Sequence, residues 1–228
     1  TARCHARMES DGHILFTVTC RADAATAVRD IRLEIPFRRA IATYLMGIGR
    51  KGGARPREWS WQWGAAIYHD SFWVGDVPAG LHCKLRGASY CGPMVNQYWP
   101  AGQLTPPESW HNSGKGGCTV RETGADTVLV SAYSGARALA AGQEVRFEFS
   151  LLITPVKPLN PAKHFSERYY HQYDPVDKAL AAGANIINIH HATELNPYIN
   201  YPFLAADKMA AYVREAHAKG VKVKIYYT

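Results

Sequence analysis

Hydrophobic and polar residues alternate along most of the first two thirds of the chain, over residues 12–155. A period of two places one side of a strand on a core and the other towards water, which is typical of half-buried antiparallel strands. The alternating apolar sets are Ile14, Phe16, Val18 and Cys20; Ile31, Leu33, Ile35 and Phe37; Leu81, Cys83 and Leu85; and Val145, Phe147, Phe149 and Leu151. These sets predict a series of short antiparallel strands.

Turn-forming residues separate these predicted strands. The turn signals are Gly75-Asp76-Val77-Pro78, Thr123-Gly124-Ala125-Asp126 and Ala141-Gly142. No long helical pattern occurs before residue 160. Many short strands with such breaks predict an antiparallel β-sandwich domain over residues 1–157.

The pattern changes at residues 155–161, where three prolines in seven residues indicate a linker or a domain boundary. Beyond it we predict the order strand, helix, strand, helix, strand. The predicted elements are a strand over 164–172, a helix capped by Asp174 and ended by Gly183, a strand over 185–191, a helix over 204–219 and a strand over 221–227. The apolar stripe of the longer helix comprises Leu204, Ala205, Met209, Tyr212, Val213 and Ala216.

Strand–helix–strand units with short connections require parallel strand pairing and right-handed crossovers. Residues 158–228 therefore predict the opening βαβαβ units of a parallel (β/α)8 barrel, which makes the fold class mixed. A whole barrel needs about 250 residues, so we expect the barrel to be incomplete here and the native protein to continue. A complete chain would instead need an oligomer to cover the open sheet.

Polar residues cluster where the predicted parallel strands end, and ligands bind at that edge in barrels and open α/β sheets. The candidate substrate-binding residues are His171, His190, His191, Glu194, Asn196, Tyr198 and Tyr226. Adjacent strand residues point to opposite faces, so we expect His190 to face the barrel mouth and His191 to face away, with no shared metal ion. Glu194 is a candidate general acid or base, but no pair of carboxylates suited to glycoside hydrolysis is visible.

Three tryptophans at a spacing of two, Trp59, Trp61 and Trp63, would share one face of an extended strand. Two interpretations fit this stripe. The rings pack into the core between two sheets, or they form an exposed face on which sugar rings stack. On the second interpretation Trp59 and Trp61 are further substrate-binding candidates.

Two glycine-rich segments resemble phosphate-binding loops without their structural context. Gly47-Ile48-Gly49-Arg50-Lys51-Gly52 fits GxGxxG, and Asn112-Ser113-Gly114-Lys115-Gly116-Gly117 resembles a phosphate loop. Neither is followed by the helix whose N-terminus would hold a phosphate. We therefore predict no nucleotide cofactor.

Composition narrows the class of protein. The 228 residues carry a net charge of +7, but the basic residues are scattered, so we expect no nucleic-acid partner. No apolar segment is long enough to cross a membrane, and residues 1–10 lack a signal-peptide core. The five cysteines show no zinc-site spacing, and a bridge between Cys83 and Cys91 stays undecided.

Five runs of residues together form a recognisable pattern: Trp73-Val74-Gly75-Asp76-Val77-Pro78-Ala79-Gly80-Leu81, Lys84-Leu85-Arg86-Gly87, Gly49-Arg50-Lys51-Gly52-Gly53, Ser113-Gly114-Lys115-Gly116-Gly117 and Asn185-Ile186-Ile187-Asn188-Ile189-His190-His191. They resemble a family of large, exported bacterial proteins that are glycoside-hydrolase-like and distantly similar to glycoside hydrolase family 123. The resemblance implies a β-sandwich before a (β/α)8 barrel and a secreted or periplasmic location. Family 123 also implies hydrolysis of β-N-acetylgalactosaminides by an adjacent Asp-Glu pair, which this chain lacks.

The leading functional hypothesis is the N-terminal part of a glycoside hydrolase that acts on a carbohydrate substrate, with its main catalytic acids outside this chain. We expect the chain alone to be inactive. The alternative is a non-catalytic carbohydrate-binding or scaffolding protein, in which the sandwich binds glycan and the α/β part is structural.

Overall fold

The protein folds into two compact units, Thr1–Pro158 and Leu159–Thr228. The structure, a computed structural model, describes residues 1–64, 70–87, 106–199 and 201–226.

Antiparallel strands are the main secondary structure in the described part of the first unit. The strands are β1 (Ala2–Met8), β2 (His13–Arg21), β3 (Thr26–Val28), β4 (Arg32–Arg38), β5 (Tyr44–Gly47), β6 (Glu58–Gln62), β7 (Ser71–Asp76), β8 (Ala79–Arg86), β9 (Gly117–Thr123), β10 (Thr127–Tyr133), β11 (Arg137–Leu139) and β12 (Glu144–Thr154), and a short helix α1 (Glu108–His111) precedes β9. One sheet has six strands in the order β1-β2-β12-β8-β7-β5, and a second has four in the order β4-β10-β9-β6. Strands β3 and β11 form a separate pair.

The hydrophobic core of this unit receives side chains from both large sheets. Phe72, Leu85 and Phe147 come from the six-stranded sheet, while Val120 and Val130 come from the four-stranded sheet, and each is at most 2% exposed. Two antiparallel sheets that share one buried core form a β-sandwich. The alternation in the sequence is thus confirmed as a pattern of antiparallel strands.

The three predicted turns are also confirmed. Each falls between consecutive strands: β7 and β8, β9 and β10, and β11 and β12. Gly124 and Gly142 adopt φ angles of +67° and +78° in the second and third turns. Glycine adopts this left-handed conformation without the steric cost that other residues incur.

Two cysteines lie in the sandwich core. Cys83 of β8 and Cys118 of β9 are fully buried, and burial raises the pKa of both thiols, that of Cys118 to about 12. Cys4 and Cys20, nearer the surface, are free thiols as well. Cys91, the other member of the undecided Cys83 bridge, lies outside the described residues, and Cys83 itself is a free thiol.

The second unit alternates short strands and helices. Its elements are helix α2 (Pro161–Ser166), strand β13 (Tyr169–Tyr170), helix α3 (Val176–Ala181), strand β14 (Ile186–Ile189), helix α4 (Ala206–Ala218) and strand β15 (Lys222–Ile225). The three strands pair in parallel in the order β13-β14-β15, as predicted. Ile187 and Ile189 of β14 pack with Val176 of α3 and Tyr212 and Ala216 of α4 in a second core.

The predicted strand over 164–172 is wrong for most of its length. Helix α2 occupies its first three positions, and β13 covers only Tyr169–Tyr170. The helix begins here because the Asn160 side chain accepts a hydrogen bond from the Lys163 amide at 3.0 Å, with Pro161 at the first helical position. A local cap therefore overrides the extended pattern.

Two details of the predicted helices are also wrong. Helix α3 has no side-chain cap, because the Asp174 carboxylate instead accepts hydrogen bonds from Tyr170 at 2.7 Å and Lys178 at 3.0 Å. Leu204 lies in a 3-10 turn before α4 and is 64% exposed, so it does not belong to the buried stripe. Tyr227, at the end of the last predicted strand, lies outside the described residues.

Candidate functional site

Aromatic and polar side chains gather at the carboxyl ends of the three parallel strands. His171 directly follows β13, His190 follows β14 and Tyr226 follows β15. Parallel strands end at the same edge of a sheet. The Tyr226 amide donates to the Ile189 carbonyl at 2.9 Å, which extends the pairing of β14 and β15 by one residue and aligns their ends.

Four rings and one amide form what we call the strand-end cluster: His171, Asn188, His190, His191 and Tyr226. The His190 and Tyr226 rings are stacked, with centroids 4.3 Å apart and planes 20° from parallel. The His171 ring meets His190 edge-on, with centroids 5.6 Å apart. The cluster thus presents a stacked pair of rings beside a third, nearly perpendicular ring.

Asn188 connects the cluster to the interior of the sheet. Its side chain is 6% exposed, and its Nδ2 donates to His171 Nδ1 at 2.6 Å. A ring nitrogen that accepts a hydrogen bond carries no proton, so neutral His171 holds its proton on Nε2. Asn188 Oδ1 is buried and has no hydrogen-bond partner within the described part of the chain. His171 is exposed and therefore presents a fixed donor to solvent.

The expectation that His190 and His191 point to opposite faces is wrong. Their ring centroids are only 4.2 Å apart. Strand β14 ends at Ile189, so the alternation no longer applies to the two histidines, and Ala192 turns the chain with a φ of +62°. Both rings consequently lie on the same side, next to Tyr226.

Glu194 is held by partners other than the cluster. Its carboxylate accepts hydrogen bonds from the Tyr173 hydroxyl at 2.6 Å and from Lys208 Nζ at 3.3 Å. The Tyr173 hydrogen bond, and then Lys208, hold the pKa of Glu194 below its usual value. Glu194 is therefore ionised at neutral pH, whereas a general acid needs a raised pKa.

Asn196 and Tyr198 differ in exposure. Asn196 is 1% exposed and closes a tight turn with Thr193, whose Oγ1 accepts from the Asn196 amide at 3.1 Å. A side chain so buried does not reach a ligand at the surface. Tyr198 is 65% exposed and lies farther along the same loop.

Comparisons with known families extend these observations. Residues 1–155 match the family of the glycoside hydrolase 123 third domain, and residues 160–228 match the family of the glycoside hydrolase 123 TIM-barrel domain. The chain belongs to the glycoside hydrolase 123 family. The resemblance found in its sequence motifs is thereby confirmed.

Solved structures add little to this family assignment. One is a crystal structure of a proposed aldose 1-epimerase from Escherichia coli K12, with 9% identity and a TM-score of 0.34 over 67% of this chain and 65% of that one. Another is the Slr1438 protein of Synechocystis sp. PCC 6803, with 8% identity and a TM-score of 0.31 over 67% of this chain and 54% of that one. The chain spans less than two thirds of either protein, and these TM-scores support no argument. No curated protein matches the chain.

In this glycoside hydrolase 123 chain, the tryptophan stripe belongs largely to the sandwich core. Trp61 and Trp63 are 5% and 4% exposed, and their rings meet edge-on with centroids 4.8 Å apart. The interpretation of Trp61 as a sugar platform is therefore corrected, because no face of its ring is free. Trp59 is half-buried against the core, with its Nε1 bonded to the Ile48 carbonyl at 2.9 Å and the Arg50 guanidinium 5.0 Å above its ring.

Sequence reasoning did not identify the partners of the candidate residues in this family 123 chain. Lys208, on the first turn of α4, reaches Glu194 across fourteen positions, and no periodic signal predicts that contact. Tyr173 lies two residues after His171, so its position after the first parallel strand was the one signal that could have identified it.

Among the described residues, no group of three or more His, Cys, Asp or Glu side chains is arranged to hold a metal ion. No described helix has the length and apolar character needed to cross a membrane.

Proposed function

We propose that this chain is the N-terminal part of a glycoside hydrolase whose strand-end cluster binds a sugar ring of the substrate. In this proposal residues 1–157 are a β-sandwich domain, and residues 158–228 are the opening βαβαβ units of an incomplete (β/α)8 barrel. The observation that carries the proposal is the stacked His190–Tyr226 pair at the carboxyl edge of a parallel sheet, within the part of the chain that matches a TIM-barrel domain family.

The barrel assignment is supported by strand order and direction. Successive strands of a (β/α)8 barrel lie side by side and run parallel, which is the arrangement of β13, β14 and β15. Active sites of such barrels lie at the carboxyl ends of the strands. His171, His190 and Tyr226 occupy those positions.

The chemistry of the cluster suits a sugar. The CH-bearing face of a pyranose ring packs on aromatic surface, and its hydroxyl groups need hydrogen-bonding partners. The stacked rings of His190 and Tyr226 supply aromatic surface, while His171 Nε2 supplies an oriented donor. Buried Asn188 holds that donor in place, which reduces the ordering cost of binding.

The catalytic acids are proposed to lie elsewhere in the enzyme. Glycoside hydrolysis normally requires a protonated acid with a raised pKa and a second carboxylate. The pKa of Glu194 is lowered by Tyr173 and Lys208, and that of Asp174 by Tyr170 and Lys178. Neither of these two strand-end carboxyls suits the role of acid.

Binding of N-acetylgalactosamine to the 228-residue chain, followed by saturation-transfer NMR, tests the cluster. We expect weak binding that His190→Ala and Tyr226→Ala each weaken about tenfold, the size of one aromatic contact. His217→Ala, which removes an exposed imidazole from α4, is the matched control and should bind as the parent does. Binding that neither cluster variant alters would contradict the proposal and favour a non-catalytic role in which the sandwich binds glycan.

An assay of substrate hydrolysis by the chain tests whether the catalytic acids lie elsewhere in the enzyme. We expect no release of nitrophenol from 4-nitrophenyl β-N-acetylgalactosaminide by the pure chain. Measurable turnover that Glu194→Gln abolishes would place a catalytic carboxylate at Glu194 and overturn this part of the proposal.

A secreted or periplasmic location remains a prediction that rests on the family. Disulfides are typical of such compartments, whereas the four described cysteines are free thiols. Cell fractionation of the source organism followed by immunoblotting measures the location directly.

A further inference from the structure

Trp73 lies on the outer face of the six-stranded sheet. Its neighbours in β7, Phe72 and Val74, are 1% and 0% exposed and point into the sandwich core. Alternation along a strand therefore directs Trp73 to the opposite face, where it is in register with His82 of β8. This tryptophan is half-buried and belongs to the outside of the sandwich.

Two glycines form a floor beneath the Trp73 indole. Gly75 of β7 and Gly80 of β8 pair with each other across the two strands. A Cβ atom added at Gly75 or Gly80 would lie 2.6 or 2.5 Å from Cζ2 of Trp73, closer than real side chains approach. The indole ring therefore packs directly on the backbone of the two glycines. A side chain at either glycine position would occupy the space that the ring fills.

A hydrogen bond fixes the direction of the indole. Trp73 Nε1 donates to Thr154 Oγ1 at 2.8 Å. Thr154 lies in β12, opposite Gly80, and is thus two strands away from Trp73. Neighbouring strands are about 4.8 Å apart, so the indole reaches Thr154 only by lying across β8. One ring face contacts the glycines, and the other faces away from the sheet.

The surroundings of the ring combine apolar surface with neutral polar groups. Met46 and Tyr44 of β5 are in register with Trp73 and Gly75, and they are 51% and 43% exposed. Burial lowers the pKa of His82 despite the opposing charge of Asp70, so at neutral pH its imidazole is mainly uncharged and offers one donor and one acceptor. The Thr154 hydroxyl accepts from Trp73 and keeps its own proton available to donate.

We propose that Trp73, Thr154, Met46 and His82 form a carbohydrate-binding platform on the outer face of the sandwich. The platform takes a β-linked oligosaccharide, since such chains present flat pyranose faces that match a flat indole, and neutral hydroxyls that match Thr154 and His82. It consists of first-unit residues alone, so its occupancy does not depend on the strand-end cluster. It gives the sandwich a role in holding substrate chains.

The test uses the 228-residue chain labelled with ¹⁵N, titrated with triacetylchitotriose and with cellotetraose at millimolar concentrations. We expect the Trp73 indole N–H signal to shift on titration with at least one of the two probes. Trp73→Leu should weaken binding of that probe about tenfold, the size of one stacking contact. Thr154→Val, which retains the ring but removes its acceptor, should weaken binding by a smaller factor without disturbing the core.

Trp59→Leu is the matched control, because it removes a half-buried indole from the four-stranded sheet and should leave the affinity unchanged. The shift of the Trp73 indole N–H signal reports occupancy of this site alone, which separates it from binding at the strand-end cluster. Unchanged affinity in both Trp73→Leu and Thr154→Val would overturn the platform, as would the absence of any Trp73 shift with both probes. If Trp73→Leu unfolds the chain, Thr154→Val and the Trp73 shift decide the question.

Discussion

The two units of the chain differ in what they bury. The sandwich fills its interior with apolar side chains such as Phe147 and Val130, supplied by strands of up to eleven residues. The second unit has strands of four residues or fewer, and it buries Asn188 and Asn196, whose Oδ1 atoms lack partners within the described part of the chain. Such atoms also occur in the sandwich, where Trp61 Nε1, Trp63 Nε1 and Ser109 Oγ are buried without a partner among the described residues. Buried polar groups without partners lower stability. The units therefore differ less in the polar groups they bury than in the apolar core that offsets their cost, which is larger in the sandwich.

The largest effect is expected from the sandwich core. Phe147 is 2% exposed and packs edge-on against Trp110, with ring centroids 4.8 Å apart. Phe147→Ala should lower the free energy of unfolding by about 3–5 kcal/mol, because it removes a large apolar side chain and leaves a cavity. All six tryptophans precede residue 159, so tryptophan fluorescence during urea denaturation monitors this unit specifically. A loss below about 1 kcal/mol would contradict the assignment of Phe147 to a tightly packed core.

Substitution of Asn188 is expected to have a smaller effect on stability but a clear effect on which nitrogen of His171 carries the proton. Asn188→Leu removes a buried amide with an unpartnered oxygen, so the free energy of unfolding should change by no more than about 1 kcal/mol in either direction. The proton of neutral His171 should then no longer be confined to Nε2. Imidazole ¹⁵N chemical shifts measure this distribution, and exposed His164 serves as the internal reference. Unchanged His171 shifts would show that Asn188 does not orient this ring.

The smallest effect concerns the pH dependence contributed by Glu194. Its pKa is lowered first by Tyr173 and then by Lys208. The stability it contributes is therefore present above the ordinary glutamate pKa of about 4.3 and is lost as the pH falls through its lower folded pKa. Tyr173→Phe should reduce that acid-side loss, and Glu194→Gln should abolish it. Circular dichroism melts at pH values on both sides of 4.3 measure the difference, and identical acid-side losses in all three proteins would contradict the assignment.

Much of the first unit could be predicted from alternation, because a half-buried strand repeats its buried face every two residues. Alternation is ambiguous where consecutive residues are all apolar, as in Phe72-Trp73-Val74. In the structure Phe72 and Val74 are buried and Trp73 is the half-buried residue of the three. Packing against distant parts of the chain makes that choice, and the local pattern does not reveal it.

The second unit was predictable in its order and direction more than in its details. Parallel order brings His171, His190 and Tyr226 to one edge, and the structure places their rings together. The Asn160 cap that replaced part of a predicted strand acts within four residues and competes with the longer pattern. The turn at Asn196 likewise forms around a local hydrogen bond from the Asn196 amide to Thr193 Oγ1, which periodicity does not encode.

The reaction rates of the two thiols in the sandwich core measure how often the sandwich opens. Thiol reagents attack the thiolate, and burial keeps Cys83 and Cys118 protonated and out of reach. Modification of either residue must therefore wait until the two sheets separate, whereas exposed Cys4 reacts at once. The labelling rate of Cys83 and Cys118 relative to that of Cys4 consequently reports how often the native sandwich opens locally, without any denaturant.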